Sequence, residues 1–277
     1  MTVLTQPPAC PDYAAIKARQ QQTWASSDYQ MIAALIAPVS ERLCDAVDLR
    51  AGERVLDVVT GSGKTAIADA RCLGQVTGVD YVPALAERGR ARAAAEGLPV
   101  TFQGGDAETL PVADAADDVV LSTYGAIFAP NQEQAARELL RACRPGGRIG
   151  LASWTPHGWI GEMLRIVGRH VGPAPGLGPP TRWRIEAGLR ERFGHEITAL
   201  RAARQSFAGR FASAQPYLDL FRTYYGPVLK AFGALDRTGQ EALAPDLLDA
   251  VERFNCSDDG TLVVPADYPG RQSCAPA

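Results

Sequence analysis

One stretch of the chain, Asp57-Val58-Val59-Thr60-Gly61-Ser62-Gly63-Lys64-Thr65, puts an acid, two glycines and a lysine between an apolar run and a helix. A glycine turn in that setting lets backbone N–H groups approach a ligand, and three chemistries use it. A phosphate cradle needs GxxxxGK[ST], but the fifth residue before Gly63 is Val58, inside the apolar run, so the first glycine is missing. A dinucleotide turn needs GxGxxG/A with an acid about 20 residues on. Gly61, Gly63, Ala66 and Asp80 meet that pattern and keep a nicotinamide oxidoreductase open. The third reading uses more acids. Asp57 lies just before the loop, Asp80 closes the next apolar run, and Asp106 sits in Gly105-Asp106-Ala107-Glu108 after the third. Arg144-Pro145-Gly146-Gly147-Arg148 then precedes a fifth run.

The elements that must carry these residues follow from periodicity. Strands are expected at 54–59, 75–80, 100–102, 118–123 and 148–154, with helices at 64–73, 83–96 and 132–143 between them. Short continuous apolar runs mark strands buried on both faces, and their alternation with helices marks βαβ units. The fold class is therefore α/β, a doubly wound, mostly parallel Rossmann-like sheet with an N-terminal helical lid and C-terminal helical additions. A helix is expected from Asp12 to Ala25 with Asp12 as N-cap, and another from Tyr29 to Val47 kinked at Pro38. Later, 158–170, 216–225 and 240–254 are expected to be helical. Residues 197–204 and 206–211 suggest an antiparallel pair, and 261–265 a short strand. Residues 172–180, rich in Gly and Pro, are expected to loop. The division drawn is 1–48 for the lid, 49–212 for the cofactor-binding core and 213–277 for a helical extension on the substrate side.

In register and order, the four features resemble the class I S-adenosylmethionine-dependent methyltransferases, whose first motif is (D/E)xGxGxG. The chain is similar to the bacterial ubiquinone/menaquinone C-methyltransferase-like enzymes, including its Trp24-Ala25-Ser26-Ser27-Asp28-Tyr29 segment. The resemblance implies S-adenosylmethionine as cofactor and S-adenosylhomocysteine as product. It implies cofactor contacts from Tyr29, Asp57, Thr60, Gly61, Gly63, Asp80, Tyr81, Asp106, Ala107, Glu108, Ser122 and Thr123. Within that set, Asp80 would accept the ribose hydroxyls, and the acid after the third strand would face the adenine. The acceptor is expected among Tyr13, Trp24, Tyr124, Phe128, Trp154 and His157, with His157 the best-placed base. It implies a hydrophobic or aromatic small molecule, with carbon methylation in bacterial secondary metabolism the leading version. The sequence departs from the family at Val59, where the first loop glycine is expected. A valine is costly there if φ is positive. That departure keeps a non-methylating protein on this fold in view.

Composition narrows the partners. Net charge is -3 and pI about 5.7, which gives no general attraction to nucleic acid or acidic membranes. The six cysteines form no metal-ligand spacing, so no metal is expected. Neither a signal peptide nor an apolar run of membrane-spanning length is evident, which makes the cytoplasm the expected location. Any association between copies of the chain is expected through the N-terminal helices.

Overall fold

The computed structural model describes residues 11–172, 183 and 186–276. The five apolar runs are strands: β1 (Arg54–Val58), β2 (Gln75–Asp80), β3 (Val100–Gly104), β4 (Asp117–Thr123) and β5 (Cys143–Ala152). They pair in parallel, with Asp57 opposite Gly78 on one side and Leu121 on the other. Val55, Leu56, Val58, Val119, Val120 and Leu121 are fully buried, which is why these runs are apolar throughout rather than alternating.

The sheet then departs from the sequence-based expectation. Residues 197–211 are not a hairpin but one strand, β6 (Ile197–Phe211), paired antiparallel with β7 (Leu262–Pro276). β7 also pairs antiparallel with β5, giving the order β3-β2-β1-β4-β5-β7-β6. Its first half shows the alternation of a half-buried strand: Leu262, Val264, Ala266 and Tyr268 are buried, while Val263, Pro265 and Asp267 are only partly so. The boundary drawn at 212 therefore cuts through the sheet, and the C-terminal stretch is helices followed by a strand. A hairpin is a local pairing, and the true partner of β6 is about fifty residues further on.

The helices are α1 (Tyr13–Ala25), α2 (Gln30–Leu35), α3 (Ala37–Ala46), α4 (Lys64–Arg71), α5 (Pro83–Ala95), α6 (Gln132–Ala142), α7 (Trp159–Val171), α8 (Glu186–Phe193), α9 (Ala214–Tyr224), α10 (Gly226–Ala234) and α11 (Arg237–Glu252). Asp12 caps α1 as expected, its Oδ1 accepting from Ala15 N at 3.0 Å. The expected 29–47 helix is two helices that part at Ile36, with Pro38 in the first turn of α3, where its missing N–H costs nothing. α10 is not among the elements expected from the sequence. Here Pro227 starts the helix. The loop expected at 172–180 lies, beyond Gly172, outside the described residues, as do residues 1–10.

The Pro145-Gly146-Gly147 turn falls within β5, as an irregularity between the Cys143 and Arg148 pairings. Gly146 is left-handed at φ +70°, and a Cβ on Gly147 would stand 2.7 Å from Cys143 Sγ. Both glycines serve this turn at the amino end of the sheet. In open parallel sheets the ligand site lies at the other end, where β1 and β4 diverge toward connections on opposite sides.

Candidate active site

The β1–α4 turn is built from three left-handed residues: Val59 (φ +58°), Gly61 (φ +58°) and Gly63 (φ +78°). Valine in this region is strained because its branched Cβ crowds the backbone. Its side chain has room only because residue 125 is glycine: a Cβ there would lie 2.5 Å from Val59 Cβ and 2.8 Å from its carbonyl oxygen. Gly125→Ala should accordingly cost about 1–3 kcal/mol of stability through overpacking. A urea midpoint unchanged from the parent protein would contradict this.

Two buried carboxylates hold the turn. Asp57 Oδ2 accepts from Thr60 Oγ1 at 2.6 Å and from Ala66 N at 3.0 Å. Asp80 Oδ2 accepts from Gly61 N, and its Oδ1 from Val82 N, each at 2.8 Å. Between them Lys64, also buried, donates to Thr123 O at 2.8 Å. Burial pushes both the Asp57 and Asp80 carboxyls up to about 6, against the pull of Lys64 and the donors just named. Burial likewise lowers the Lys64 ammonium to about 8, against the attraction of both acids.

These shifts set a pH dependence. A carboxyl whose folded pKa is raised from 3.8 to about 6 keeps a proton that the unfolded chain has released. Its contribution to folding is therefore greatest below about pH 4 and declines as pH rises to about 6. Relative to Asp80→Asn, which stays neutral, the parent protein should lose stability across that window in urea unfolding. A difference that is flat with pH would contradict the assignment.

Above this turn lies a cavity that opens to the surface at the carboxyl ends of the strands. Its walls include Gly61, Lys64, Asp80, Tyr81, Thr123 and Tyr29. Thr123 Oγ1 is buried without a hydrogen-bond partner, and the Tyr29 ring stands 3.9 Å from a Cβ position on Gly61. Helix α1 closes the top through three side chains that reach loops at the carboxyl ends of the strands. Lys17 Nζ pairs with Asp106 Oδ2 (2.7 Å) and Glu108 Oε2 (2.5 Å), Gln20 Nε2 donates to Phe128 O (2.9 Å), and Gln21 Nε2 donates to Tyr81 O. Burial, then Asp80, Asp106 and Glu108, raise the Tyr81 phenol.

A second, narrower chamber adjoins the first and shares Trp24, Tyr29, Tyr124 and Phe128 with it. Its other walls are chiefly aromatic. Trp24 meets Tyr29, Phe128 and Tyr225 edge-on at 5.3–5.9 Å, and Tyr124 stacks on Trp154 at 3.6 Å.

The structure sorts the expected site residues into groups. Tyr29, Gly61, Asp80, Tyr81 and Thr123 line the first cavity, and Trp24, Tyr124, Phe128 and Trp154 line the second. Asp57, Thr60 and Ser122 lie beneath the loop; Ser122 Oγ donates to Val58 O and accepts from Ala126 N. Gly63 faces the Phe102 ring, 2.8 Å from its Cβ position, so this glycine serves packing. Asp106, Ala107 and Glu108 lie in the turn after β3, the two acids paired with Lys17. Tyr13 and His157, expected at the acceptor site, line neither cavity: Tyr13 begins α1 and His157 is exposed before α7.

Sequence reasoning missed Lys64 as a site residue and, as chamber walls, Phe207 and Phe211 of β6 and Phe221 and Tyr225 of the α9 region. A lysine in the first turn of a helix opposes the helix dipole, and that anomaly was the available signal for it. No cluster of metal-ligating side chains occurs among the described residues, and no helix there is long and apolar enough to cross a membrane.

The order β3-β2-β1-β4-β5-β7-β6, with β7 alone antiparallel and next to the edge, and an acid-flanked glycine turn at the switch point place the chain in the Rossmann-like class of α/β proteins. The methyltransferase-domain family matches residues 55–147. An uncharacterized protein of Mycobacterium tuberculosis is 37% identical over 250 residues, 85% of this chain and 91% of that protein. Demethylmenaquinone methyltransferase of Deinococcus radiodurans is 37% identical over 127 residues, about half its length (53%). A putative methyltransferase of Bacillus halodurans shares the fold at a TM-score of 0.58 and 18% identity, over 86% of this chain and 99% of that one. The chain belongs to the class I S-adenosylmethionine-dependent methyltransferases, and it is an enzyme of that class.

Proposed function

We propose that the first cavity holds S-adenosylmethionine and that the adjoining chamber takes a hydrophobic or aromatic small molecule as methyl acceptor. The carrying observation is the shared wall of Trp24, Tyr29, Tyr124 and Phe128, which makes the two spaces contiguous and apolar where they meet. Methyl transfer is an in-line displacement, and most of its catalysis comes from alignment and exclusion of water.

The residues fit the cofactor's three ends. Asp80 has lone pairs left for ribose hydroxyls, and Tyr81 with Asp106 and Glu108 borders an adenine end. Lys64 and the unpartnered Thr123 hydroxyl suit the amino-acid end, with the ammonium facing its carboxylate. When bound, the cofactor supplies an electrophilic methyl group on a sulfonium. Tyr29 and Trp24 orient and shield that region, and α1 acts as the lid. Among the described residues, no histidine, carboxylate or lysine lines the second chamber. Transfer therefore rests on positioning, which suits an acceptor atom that is nucleophilic without a protein base. Carbon methylation is the version that the family resemblance favours.

The test is a panel of planar apolar and of charged hydrophilic acceptors incubated with isotopically labelled cofactor and read by mass spectrometry. Label should enter the apolar aromatic compounds. Labelling confined to charged acceptors would overturn the reading.

A further inference from the structure

The aromatic chamber carries polar atoms that its own architecture leaves unused. Tyr124 Oη, Tyr225 Oη and Trp159 Nε1 belong to three of its lining residues, each only 4% exposed, and none has a hydrogen-bond partner among the described residues. Leaving a buried donor unpaired is costly, so three from separate elements around one cavity are matched to something that enters it. Tyr124 follows β4, Trp159 begins α7 and Tyr225 follows α9. Burial, then the neighbouring Tyr268 and Tyr29 hydroxyls, raise the Tyr124 phenol; burial, then Tyr29 and Tyr217, raise that of Tyr225. Both therefore stay protonated and able to donate at any physiological pH. Indole Nε1 can only donate.

We infer that the chamber selects a neutral, flat, oxygen-bearing ring, whose carbonyl or hydroxyl oxygen accepts hydrogen bonds from Tyr124, Tyr225 and Trp159 while aromatic faces enclose its carbons. This rests on the reading of the chamber as the acceptor site and adds the group it recognises. Three donors with no counter-ion on the chamber walls discriminate on two sides. A plain hydrocarbon of the same shape leaves the donors unpaired, and a carboxylate or an ammonium enters an apolar chamber without an opposite charge. Discrimination of this kind is strong, because a site built to bond an oxygen pays for every analogue that lacks it.

The probes are naphthalene, 1-naphthol and 1-naphthoate, which share a ring system and differ in the polar group. Binding is followed by quenching of tryptophan fluorescence with the protein saturated by S-adenosylhomocysteine. 1-Naphthol should bind at least tenfold more tightly than either of the others. Tyr225→Phe should reduce that advantage severalfold while leaving S-adenosylhomocysteine affinity unchanged. Equal affinities for naphthalene and 1-naphthol, tightest binding of 1-naphthoate, or a Tyr225→Phe protein that keeps the parent protein's full preference for 1-naphthol would each overturn the inference. Failure of S-adenosylhomocysteine itself to bind would instead strike the reading on which it rests.

Discussion

Replacing Asp80 with alanine is expected to weaken S-adenosylhomocysteine binding by about 1–3 kcal/mol, or roughly 5- to 150-fold, the loss of hydrogen bonds to a charged group. The carboxylate has two tasks, and the variant loses both. Its oxygens hold Gly61 N and Val82 N at 2.8 Å, and the residue lines the cavity, where the proposed reading gives it the ribose hydroxyls. Alanine thus removes a ligand acceptor and orphans two backbone donors, so stability should fall with affinity. Calorimetry on protein kept below its unfolding temperature separates the two effects. Because burial raises this carboxyl to about 6, affinity in the parent protein should also fall as pH drops through about 6. An Asp80→Ala protein of undiminished affinity would remove Asp80 from the site.

Lys64→Met should have an effect of comparable size with a different signature. The variant loses a buried hydrogen bond to Thr123 O and the cation that lowers the Asp57 and Asp80 carboxyls. Affinity should drop about tenfold or more, as for a lost hydrogen bond to a charged group. Beyond that, the acid limb of the affinity profile should move above about 6, since the attraction that kept Asp80 ionised is gone. A purely structural lysine would lower stability and leave the pH profile in place. An unshifted limb would therefore contradict the electrostatic role, even if the protein were destabilised.

The parts of the molecule legible in its sequence are those specified locally. Asp12 ahead of α1, the apolar runs of β1, β2 and β4, and the turn from Asp57 to Gly63 all declare themselves within about one element's length. Asp80 was legible because it ends an apolar run, which in a parallel sheet places it at the carboxyl end. The second chamber was only half visible. Trp24, Tyr124, Phe128 and Trp154 follow recognisable elements, but Phe207, Phe211, Phe221 and Tyr225 arrive through β6 and the helices after it, and β6 is positioned by a strand some fifty residues away. Phe207, Gly209 and Phe211 do alternate as one face of a strand, and all three line the chamber, so a trace was present. Glycine spacing could not separate backbone approach from packing: Gly61 faces the cavity, whereas Gly63 makes room for Phe102. Tyr13 and His157 line neither cavity, because position next to an element does not fix which way a side chain is presented. α1 covers the cavity with its stretch from Lys17 to Trp24, one turn beyond Tyr13. Val59 was expected to be costly if its φ were positive; its φ is +58°, with Gly125 as the accommodation that no local pattern announces.

The central claim is that the space between Asp80, Lys64 and Thr123 is a cofactor site for S-adenosylmethionine. Titration calorimetry with S-adenosylhomocysteine tests it most directly, with the oxidised and reduced nicotinamide dinucleotides as competitors. One saturable site per chain is expected, weakened by Asp80→Ala and unaffected by the dinucleotides. Absence of saturable heat at millimolar ligand, or displacement by a nicotinamide dinucleotide, would contradict the account.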